Sequence, residues 1–392
     1  MQSATGGNAR DMKSTNRLLM LRLLCTGGPA ARTTLAARTG LTKMTASNII
    51  AELLAAGLVA EQHPGHSAGA GRRAGLLALA PGAPAVLGVF VGRRHCSVLA
   101  ATLGAEVLAQ QSAAYPDTLT PGLLLDLIAG LYADVRTQYG GPLLGCGISA
   151  VGPLNADTGT LLAPPNFYGI RNLPLRELLA ARLGLPCTLI HDASAGALAE
   201  QFYGAGRGLD HFLYLHLENG VGAGLVTNGA LYDGEMGLAG EIGHMSINFN
   251  GPRCACGNRG CLELYANEAA LAAEVRRLGG QGDDLTFEAI LTRAAQGDGI
   301  AATALDQFCD YVSFALVSCL NVVDTHRVFV GYRGNGGDLP EKLLESKVNA
   351  RLLAGKSRSV RIERSQFGAA APVLGAAAAV ARQVFDGVLP VL

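Results

Sequence analysis

The chain has 392 residues, of which 49% are hydrophobic and 16% are charged, and it contains no Trp. This composition excludes a disordered chain, and the length allows two or three domains with a buried interior. The net charge is zero, but residues 1–80 carry nine Lys or Arg against three Asp or Glu, a balance of +6, and the remaining chain carries 22 against 28, a balance of −6. A basic segment joined to an acidic body is typical of a DNA-binding module attached to another domain.

Three short helices are predicted near the N-terminus, from apolar residues at helical spacing between Ser or Thr starts and Gly ends: residues 14–28, 32–40 and 41–57. The second helix is expected to begin at Thr33 or Thr34 and to end at Gly40. The third has Thr42 as its N-cap and ends at Gly57. Two short helices joined by a tight turn predict a helix-turn-helix.

The third helix would present four side chains to the DNA major groove: Lys43, Thr45, Ser47 and Asn48. After it, "LVAEQ" and "AGLLALA" are predicted as the strands of a β-hairpin, which would be the wing of a winged helix. Arg72 and Arg73 lie at the tip of this wing, where they could reach phosphate or the minor groove. The alternative is a small helical bundle with a solvated basic face.

From about residue 85 onward, apolar strands alternate with helices, and glycines stand at the strand ends. This pattern predicts an α/β domain, and strand ends of this kind are where open sheets bind ligands. The glycine-rich turns near residues 88 and 220 suggest two halves of a duplicated lobe.

No membrane segment is expected. The polar N-terminus lacks the apolar core of a signal peptide, and the longest apolar stretch, residues 76–92, is interrupted by Pro81 and Pro84. A cytoplasmic location is therefore predicted. In that reducing compartment six isolated cysteines are expected to be small buried hydrophobes: Cys25, Cys96, Cys146, Cys187, Cys309 and Cys319.

One histidine and three cysteines form a compact motif, H-x9-C-x-C-x4-C: His244, Cys254, Cys256 and Cys261. Four such ligands are the number that a structural zinc ion takes, and no coordination position remains for an activated water. The motif therefore predicts a structural zinc site. The alternatives are reduced free thiols or a disulfide between Cys254 and Cys256, which a reducing compartment disfavours.

Two carboxylates flank this motif. Glu241 precedes His244 by three residues and Glu263 follows Cys261 by two, so folding around an ion brings both towards one pocket. Carboxylates accept hydrogen bonds from vicinal sugar hydroxyls, and a zinc-bound imidazole can use its second nitrogen on another hydroxyl. Without further information, two solvated surface glutamates are the alternative.

From about residue 14 to 380 the chain resembles the ROK family, which groups sugar-responsive repressors with bacterial-type sugar kinases. The matching stretches are "YDGEMGLAGEIGHMSINFNGPRCACGNRGCLELYA", "LIHDASAGALAEQFYGAG" and "PPNFYG". The resemblance implies an α/β fold class, with a winged helix followed by a two-lobed actin-like, ribonuclease-H-like domain. It also implies zinc at the four motif positions and sugar binding at five positions: Asn166, Asp192, Glu241, His244 and Glu263.

The domain boundaries that follow are residues 1–80 for the winged helix and 81–195 plus 375–392 for the first lobe, with 196–374 for the second lobe and its zinc module. Asp192 occupies the position of the kinase base. The kinase motif Asn-Asp-Ala-Asn reads "HDAS" here, so both asparagines are replaced, by His191 and Ser194. An N-cap at the start of the following helix is the alternative role for Asp192.

The nucleotide side departs further from the kinases. Phe90 stands where they have the aspartate of Asp-x-Gly-Gly-Thr, and Arg93 and Arg94 follow in place of Gly-Thr. Phe cannot hold a Mg²⁺-bound water. The later glycine loop keeps Gly220, Gly222 and Gly224 but has Glu218 and Asn219 ahead of them, and Tyr332 replaces a glycine of the adenosine-binding turn. ATP use is therefore not expected.

The sequence thus predicts a sugar-responsive transcriptional regulator, in the first place a repressor, with a catalytically silent sensor domain. Its expected partners are double-stranded operator DNA, a sugar or sugar derivative, and further copies of the chain in a homodimer or homotetramer, because half-site recognition needs paired DNA-binding heads. Two alternatives remain: an active ATP-dependent sugar kinase of the same family, or a regulator gated by a protein partner.

Overall fold

A computed structural model describes residues 9–62, 75–282, 284–334, 337–353 and 355–391. Its α-helices are α1 (Ala9–Gly27), α2 (Arg32–Thr39), α3 (Lys43–Ala55), α4 (Pro121–Gln138), α5 (Leu175–Leu183), α6 (Asp192–Tyr203), α7 (Glu268–Arg277), α8 (Phe287–Ala295), α9 (Gly299–Val323), α10 (Leu339–Arg351) and α11 (Ala371–Phe385). Short 3₁₀ helices span Ile242–His244, Leu262–Leu264 and Gly368–Ala370.

The strands fall into three sheets and one small ribbon. They are β1 (Ala30–Ala31), β2 (Val59–Gln62), β3 (Leu76–Leu79), β4 (Ala85–Val91), β5 (His95–Ala101), β6 (Val107–Ala114), β7 (Leu143–Ala150), β8 (Leu154–Asn155), β9 (Thr160–Leu161), β10 (Cys187–His191), β11 (Phe212–Leu217), β12 (Val221–Thr227), β13 (Ala230–Leu231), β14 (Arg327–Gly331) and β15 (Arg361–Arg364).

The N-terminal unit combines α1, α2 and α3 with a sheet in the order β1-β3-β2. The predicted start of the first helix was wrong, because α1 begins at Ala9 and runs through residues with good helix propensity. The predicted Thr33 or Thr34 start of the second helix was also wrong. Ala31 pairs with Leu76 in an extended conformation, so α2 begins directly after it, at Arg32, without a side-chain cap.

The third helix forms as predicted. The Thr42 hydroxyl accepts a hydrogen bond from the Thr45 amide at 3.2 Å, and Gly40 and Gly57 adopt the left-handed conformation with φ of 68° and 69°. Strands β2 and β3 form the predicted antiparallel hairpin. Its tip, with Arg72 and Arg73, lies outside the described residues.

The rest of the described chain is built on two five-stranded sheets with the same topology. The first has the order β10-β7-β4-β5-β6 and the second β13-β12-β11-β14-β15. In each sheet the first three strands in chain order form an antiparallel meander. The fourth strand pairs in parallel with the first, and the fifth pairs in parallel with the fourth. This repeat agrees with the expected duplication. We call the unit built on the first sheet the first lobe and the unit built on the second sheet the second lobe.

Helices α6 and α11 lie between the lobes and contact each other. Helix α6 lies against β11 and β12, and α11 lies against β4 and β7, so the C-terminal helix returns to the first lobe. Both contacts of α11 depend on glycine. Against α6, a Cβ at Gly375 would stand 1.7 Å from the Ala195 carbonyl oxygen; against β7, a Cβ at Gly147 would stand 1.8 Å from the Ala376 carbonyl oxygen. The domain boundaries given above stay a prediction.

The N-terminal unit contacts the body through α1. The guanidinium of Arg22 lies 5.2 Å from the ring centroid of Phe202, near the end of α6, and Arg207 donates a hydrogen bond to the Thr26 carbonyl at 2.6 Å. Buried side chains of α1, α6 and α11 belong to one hydrophobic cluster. The hydrophobic core of the N-terminal unit is therefore continuous with the interior of the first lobe.

Within the described residues, two helical segments are long and apolar enough to cross a membrane: Gly299–Val323 and Gly368–Phe385. In their most apolar windows, 50% and 72% of the residues are buried inside the protein. Both segments are explained as core helices of a globular fold. Residues 76–92, the longest apolar stretch in the sequence, form β3, β4 and the turn between them.

Candidate functional site

The His244 motif forms a compact cluster in the second lobe. The ligand atoms of His244, Cys254, Cys256 and Cys261 all lie within 4.8 Å of one another. The Cys256 and Cys261 sulfurs are 3.6 Å apart, and His244 Nδ1 is 3.8 Å from the Cys254 sulfur. A tetrahedral zinc ion with ordinary bond lengths would separate its ligand atoms by about 3.5–3.8 Å. The cluster therefore fits zinc.

Local backbone contacts bring these ligands together. The amide of Cys254 donates to the Asn258 carbonyl and that of Gly257 to the Cys254 carbonyl, which makes a tight turn around the first two cysteines. Gly260 has a φ of 60°, and a Cβ there would stand 1.7 Å from the Asn248 carbonyl oxygen. Glycine is therefore required immediately before Cys261.

The nine cysteines are all free, so the alternative disulfide between Cys254 and Cys256 is not formed. Cys25, Cys96, Cys146 and Cys309 are buried as predicted, whereas Cys187 and Cys319 are half-buried.

The cluster positions the two flanking glutamates. Glu241 precedes the 3₁₀ helix that carries His244, and Glu263 lies in the 3₁₀ helix that follows Cys261. With Nδ1 of His244 facing Cys254, its Nε2 is left for another partner. Glu263 is almost fully buried and Glu241 is half-buried, so neither is the solvated surface glutamate of the alternative interpretation.

An inner cavity lies between the lobes and is lined by Asp192, Glu241 and Glu263. Asp192 is the first residue of α6, and its Oδ1 accepts a hydrogen bond from the Ala193 amide at 2.6 Å. The N-cap position belongs to His191, so the alternative role of Asp192 as the N-cap was wrong. Asp192 thus contacts the helix start and also faces the cavity.

The predicted sugar-binding residue Asn166 lies elsewhere. It lines an outer cavity whose other lining residues include Arg94, Asp117, Tyr168, Asn219, Asn267 and Glu268. Arg93, Asn219 and Glu263 line both cavities. His244 lines neither of them. The five predicted positions are therefore not gathered around a single cavity in this conformation.

Arg93 separates the two cavities. Its guanidinium forms an ion pair with Glu263 at 2.9 Å and donates a second hydrogen bond to the Pro165 carbonyl. Only 13% of the Arg93 side chain and 7% of the Glu263 side chain are exposed. This contact could not be predicted from the sequence, because the two residues are 170 positions apart.

A second polar cluster connects the lobes beside the glycine loop. Arg333 Nη2 lies 3.4 Å from Glu218 and 3.4 Å from the imidazole of His95, and His216 lies 3.7 Å from Glu218. Burial opposes ionisation of Glu218, but the hydrogen bond from His216 and the charges of His95 and Arg333 outweigh it and lower the pKa of the carboxyl to about 2. Glu218 is therefore a buried negative charge.

The sequence profile of the ROK family matches residues 86–383. The chain belongs to the ROK family. This confirms the family and the fold class that the sequence predicted.

Named relatives cover nearly the whole chain. It is 30% identical over 391 residues to a protein named putative xylose repressor from Caldicellulosiruptor sp. (strain Rt8B.4), with 95% of this chain and 97% of that protein covered. It is 28% identical over 396 residues to the DNA-binding transcriptional dual regulator NagC of Escherichia coli (strain K12), with 98% and 96% covered.

Solved structures of both a ROK family regulator and a ROK family kinase resemble this chain. A ROK family transcriptional regulator described as a homolog of the E. coli MLC protein matches with a TM-score of 0.78 at 25% identity, over 96% of this chain and 98% of that one. A ROK family glucokinase from Streptomyces griseus, in complex with glucose and AMPPNP, matches with a TM-score of 0.70 at 27% identity, over 76% of this chain and 99% of that one.

In this ROK protein two of the positions that depart from the kinases, Phe90 and Tyr332, are buried. The ring of Phe90 lies edge-on to His95 with centroids 5.3 Å apart. Tyr332 is buried, donates a hydrogen bond to Glu341 at 2.8 Å and lies against Phe287. Both aromatic residues therefore have structural partners of their own.

The predicted DNA-reading residues lie on one exposed surface of α3. Lys43, Thr45, Ser47 and Asn48 are all exposed, while Ile49, Ile50 and Leu53 are buried and Leu54 is half-buried. The Thr45 hydroxyl lies 2.9 Å from that of Thr42, so it also takes part in the helix cap.

His191 is the residue of the inner cavity whose contacts sequence reasoning missed. It is buried, its Nε2 faces two carboxylates, and its Nδ1 has no hydrogen-bond partner among the described residues. The available signal was its substitution for an asparagine directly before Asp192.

Proposed function

We propose that this ROK protein is a cytoplasmic, sugar-responsive DNA-binding regulator of carbohydrate genes, acting as a repressor. The relatives support this, because proteins named as repressors match nearly the full length, including the N-terminal unit. The observation that carries the proposal is the lining of the cleft between the two lobes, which contains the inner and outer cavities. Its inner cavity has three carboxylates beside the metal cluster, while the turn that holds phosphates in the kinases supplies Arg93 to an ion pair with one of them.

The carboxylates of Asp192, Glu241 and Glu263 would accept hydrogen bonds from the hydroxyl groups of a sugar. The amide of Asn166 would donate from the outer cavity, and Nε2 of His244 would contact a further hydroxyl. Zinc would be held by His244 and the three cysteines of the motif. Because all four positions are filled by protein, the ion would be structural and would fix the segments that carry Glu241 and Glu263.

The sensor domain would transfer no phosphate. The β4–β5 turn has no carboxylate to hold Mg²⁺ through water, since Phe90 takes that position. The glycine loop begins with Glu218, whose lowered pKa keeps it negatively charged, and a negative charge repels phosphate. Arg93, Arg94 and Tyr332 stand where the kinases have small residues. These features support a protein that is not an enzyme.

The N-terminal unit would bind operator DNA through Lys43, Thr45, Ser47 and Asn48 on α3, with Arg72 and Arg73 contacting the DNA backbone or minor groove. Recognition of paired half-sites requires a homodimer or homotetramer. Sugar binding between the lobes would change the spacing of the paired heads. A ligand shifts DNA affinity only by its differential affinity for the two states, typically about 1–3 kcal/mol.

The test is fluorescence anisotropy with DNA from the promoter region next to the protein's own coding sequence, without ATP. D-xylose, D-glucose and N-acetyl-D-glucosamine are added separately, followed by a wider panel of pentoses, hexoses and amino sugars. We expect one sugar to shift the DNA affinity. If DNA binds and no sugar has an effect, a regulator gated by a protein partner is supported instead; if no DNA binds and ATP is consumed with a sugar, the protein is a kinase.

Glu241→Ala should abolish the sugar response and leave DNA affinity without sugar unchanged, because it removes an acceptor from the inner cavity. Glu235→Ala is the matched control, since Glu235 is an exposed glutamate in the same loop. A full sugar response in Glu241→Ala would show that the sugar binds elsewhere.

A further inference from the structure

The ion pair between Arg93 and Glu263 joins the two lobes across the cleft. Arg93 lies in the turn between β4 and β5 of the first lobe, and Glu263 lies two residues after the metal-cluster residue Cys261 in the second lobe. Both side chains are largely buried, so water screens their attraction weakly. The two lobes of the proposed sensor domain are therefore joined here by a buried ion pair.

The pair is held on both sides by backbone. A Cβ at Gly220 would stand 3.0 Å from Arg93 Nε and 3.0 Å from Glu263 Oε2, so the two charged groups lie directly against this residue of the glycine loop. On the other side, Arg93 donates to the carbonyl of Pro165, next to Asn166. Arg93 thus contacts three segments: the glycine loop, the loop carrying Asn166, and the segment after Cys261.

This position divides the proposed sugar site. Asp192 and Glu241 line the inner cavity and Asn166 lines the outer one, while Arg93 and Glu263 line both. While Arg93 pairs with Glu263, Asp192 and Asn166 line different cavities, and the paired side chains border both. Glu263 is also engaged already, by Arg93 and by the Val221 amide.

We propose that Arg93 is a gate: the effector enters when the Arg93–Glu263 ion pair opens, and hydroxyl groups of the sugar then replace the guanidinium on Glu263. The inference rests on the proposed sugar-binding function and names the residue that sets effector affinity. Opening the pair joins the inner and outer cavities and also releases the Asn166 loop from its contact with Arg93. Effector binding therefore breaks the Arg93–Glu263 ion pair between the lobes and replaces it with contacts from the effector to both lobes.

Opening a buried ion pair costs free energy, which lowers the apparent affinity for the effector. Arg93→Gln removes the charge and leaves Glu263 free to accept hydroxyl groups. We expect its sugar Kd to be lower than that of the wild type by about tenfold, which corresponds to the net contribution of one charge-assisted hydrogen bond. Arg93→Lys keeps a positive charge near Glu263, so its Kd should lie closer to the wild-type value.

The experiment is isothermal titration of the full-length protein with D-xylose, D-glucose and N-acetyl-D-glucosamine in a double-mutant cycle. The proteins are wild type, Arg93→Gln, Glu263→Gln and the double variant. If Arg93 acts by occupying Glu263, its removal tightens binding in the wild-type background and has no effect in the Glu263→Gln background. Arg171→Gln is the matched control, because Arg171 is an exposed arginine that lines neither cavity and should leave the Kd unchanged.

Weaker or unchanged binding by Arg93→Gln would overturn the gate, and so would a tenfold gain that persists in the Glu263→Gln background. Either result leaves the sensor function intact, provided that the wild type binds one of the sugars. If neither the wild type nor Arg93→Gln binds any of them, both the sugar site and the gate are wrong. Zinc content and melting temperature, measured for each variant, separate these outcomes from a failure to fold.

Discussion

The imidazole Nε2 of His191 lies 3.6 Å from Oε1 of Glu241, although the two residues belong to different lobes. The same nitrogen is 3.4 Å from Oδ1 of Asp192. One buried ring thus stands between two carboxylates that would otherwise face each other across the inner cavity. A hydrogen atom on Nε2 would orient these carboxylates in the inner cavity of the proposed sugar site.

His191→Ala should weaken effector binding by roughly five- to tenfold, because the imidazole that lies between the two carboxylates and could donate to one of them is lost. Isothermal titration with the effector sugar measures the change. His191→Asn, which restores an amide donor, is the control and should lose less affinity. Equal Kd values for His191→Ala and the wild type would remove His191 from the site.

Cys254→Ser should reduce bound zinc from about one ion per chain to well below one, because a structural site needs its full set of four ligands. The segment carrying Glu263 would then lose its anchor, so we expect a lower melting temperature and no sugar response. Metal analysis of the purified protein and thermal unfolding give the two results. Cys187→Ser, outside the cluster, should keep the metal; full zinc content in Cys254→Ser would contradict the assignment.

The stability of the protein should fall in acid through Glu218. The pKa of this carboxyl is lowered from 4.5 to about 2, so the folded state favours the ionised form. The resulting stabilisation of about 3 kcal/mol is fully present above the unfolded pKa and is lost progressively as the pH falls from about 5 towards 2. Urea unfolding at a series of pH values between 6 and 3 measures it.

Glu218→Gln should be less stable at neutral pH and should show a flatter decline in acid, because it removes the titrating group and leaves Arg333 and His216 without a counter-charge. Glu288→Gln is the control, as Glu288 is an exposed carboxyl lining the neighbouring cavity. Parallel acid profiles for Glu218→Gln and wild type would show that another group controls the decline.

Asn48→Ala should weaken binding to the operator by about 5- to 150-fold while leaving binding to unrelated DNA nearly unchanged, since a contact to a base edge contributes about 1–3 kcal/mol of discrimination. Lys43→Ala should instead weaken binding to all sequences, and the slope of log K against log salt concentration should become shallower by about one. Anisotropy titrations at several salt concentrations distinguish the two. Asn321→Ala, an exposed asparagine on α9, is the control.

Local signals predicted the third helix and the clustering of His244 with three cysteines; that this cluster binds zinc stays a prediction. The four residues lie within eighteen positions, and Thr42 and Gly57 act through hydrogen bonds and backbone conformation within a few residues of themselves. Such features depend little on the rest of the fold. The family resemblance then supplied the fold class and the positions of Asp192, Glu241 and Glu263.

Long-range contacts were not predictable in this way. Arg93 was recognised only as a departure from the kinases, since its partner Glu263 becomes adjacent only when the two lobes assemble. Asn166 was expected beside Asp192, but the side chain of Arg93 lies between their cavities. The start of α2 was misplaced for a similar reason, because the pairing of Ala31 with Leu76 depends on a strand 45 residues away.

Helix α6 begins at the inner cavity and ends against α1 of the N-terminal unit. Asp192 begins it at the inner cavity, and Phe202, in its last turn, contacts Arg22 of α1. A helix of 12 residues is about 18 Å long and nearly incompressible. If the proposed sugar displaces Asp192, the displacement would be carried along α6 as a rigid-body movement to α1, at the base of the N-terminal unit.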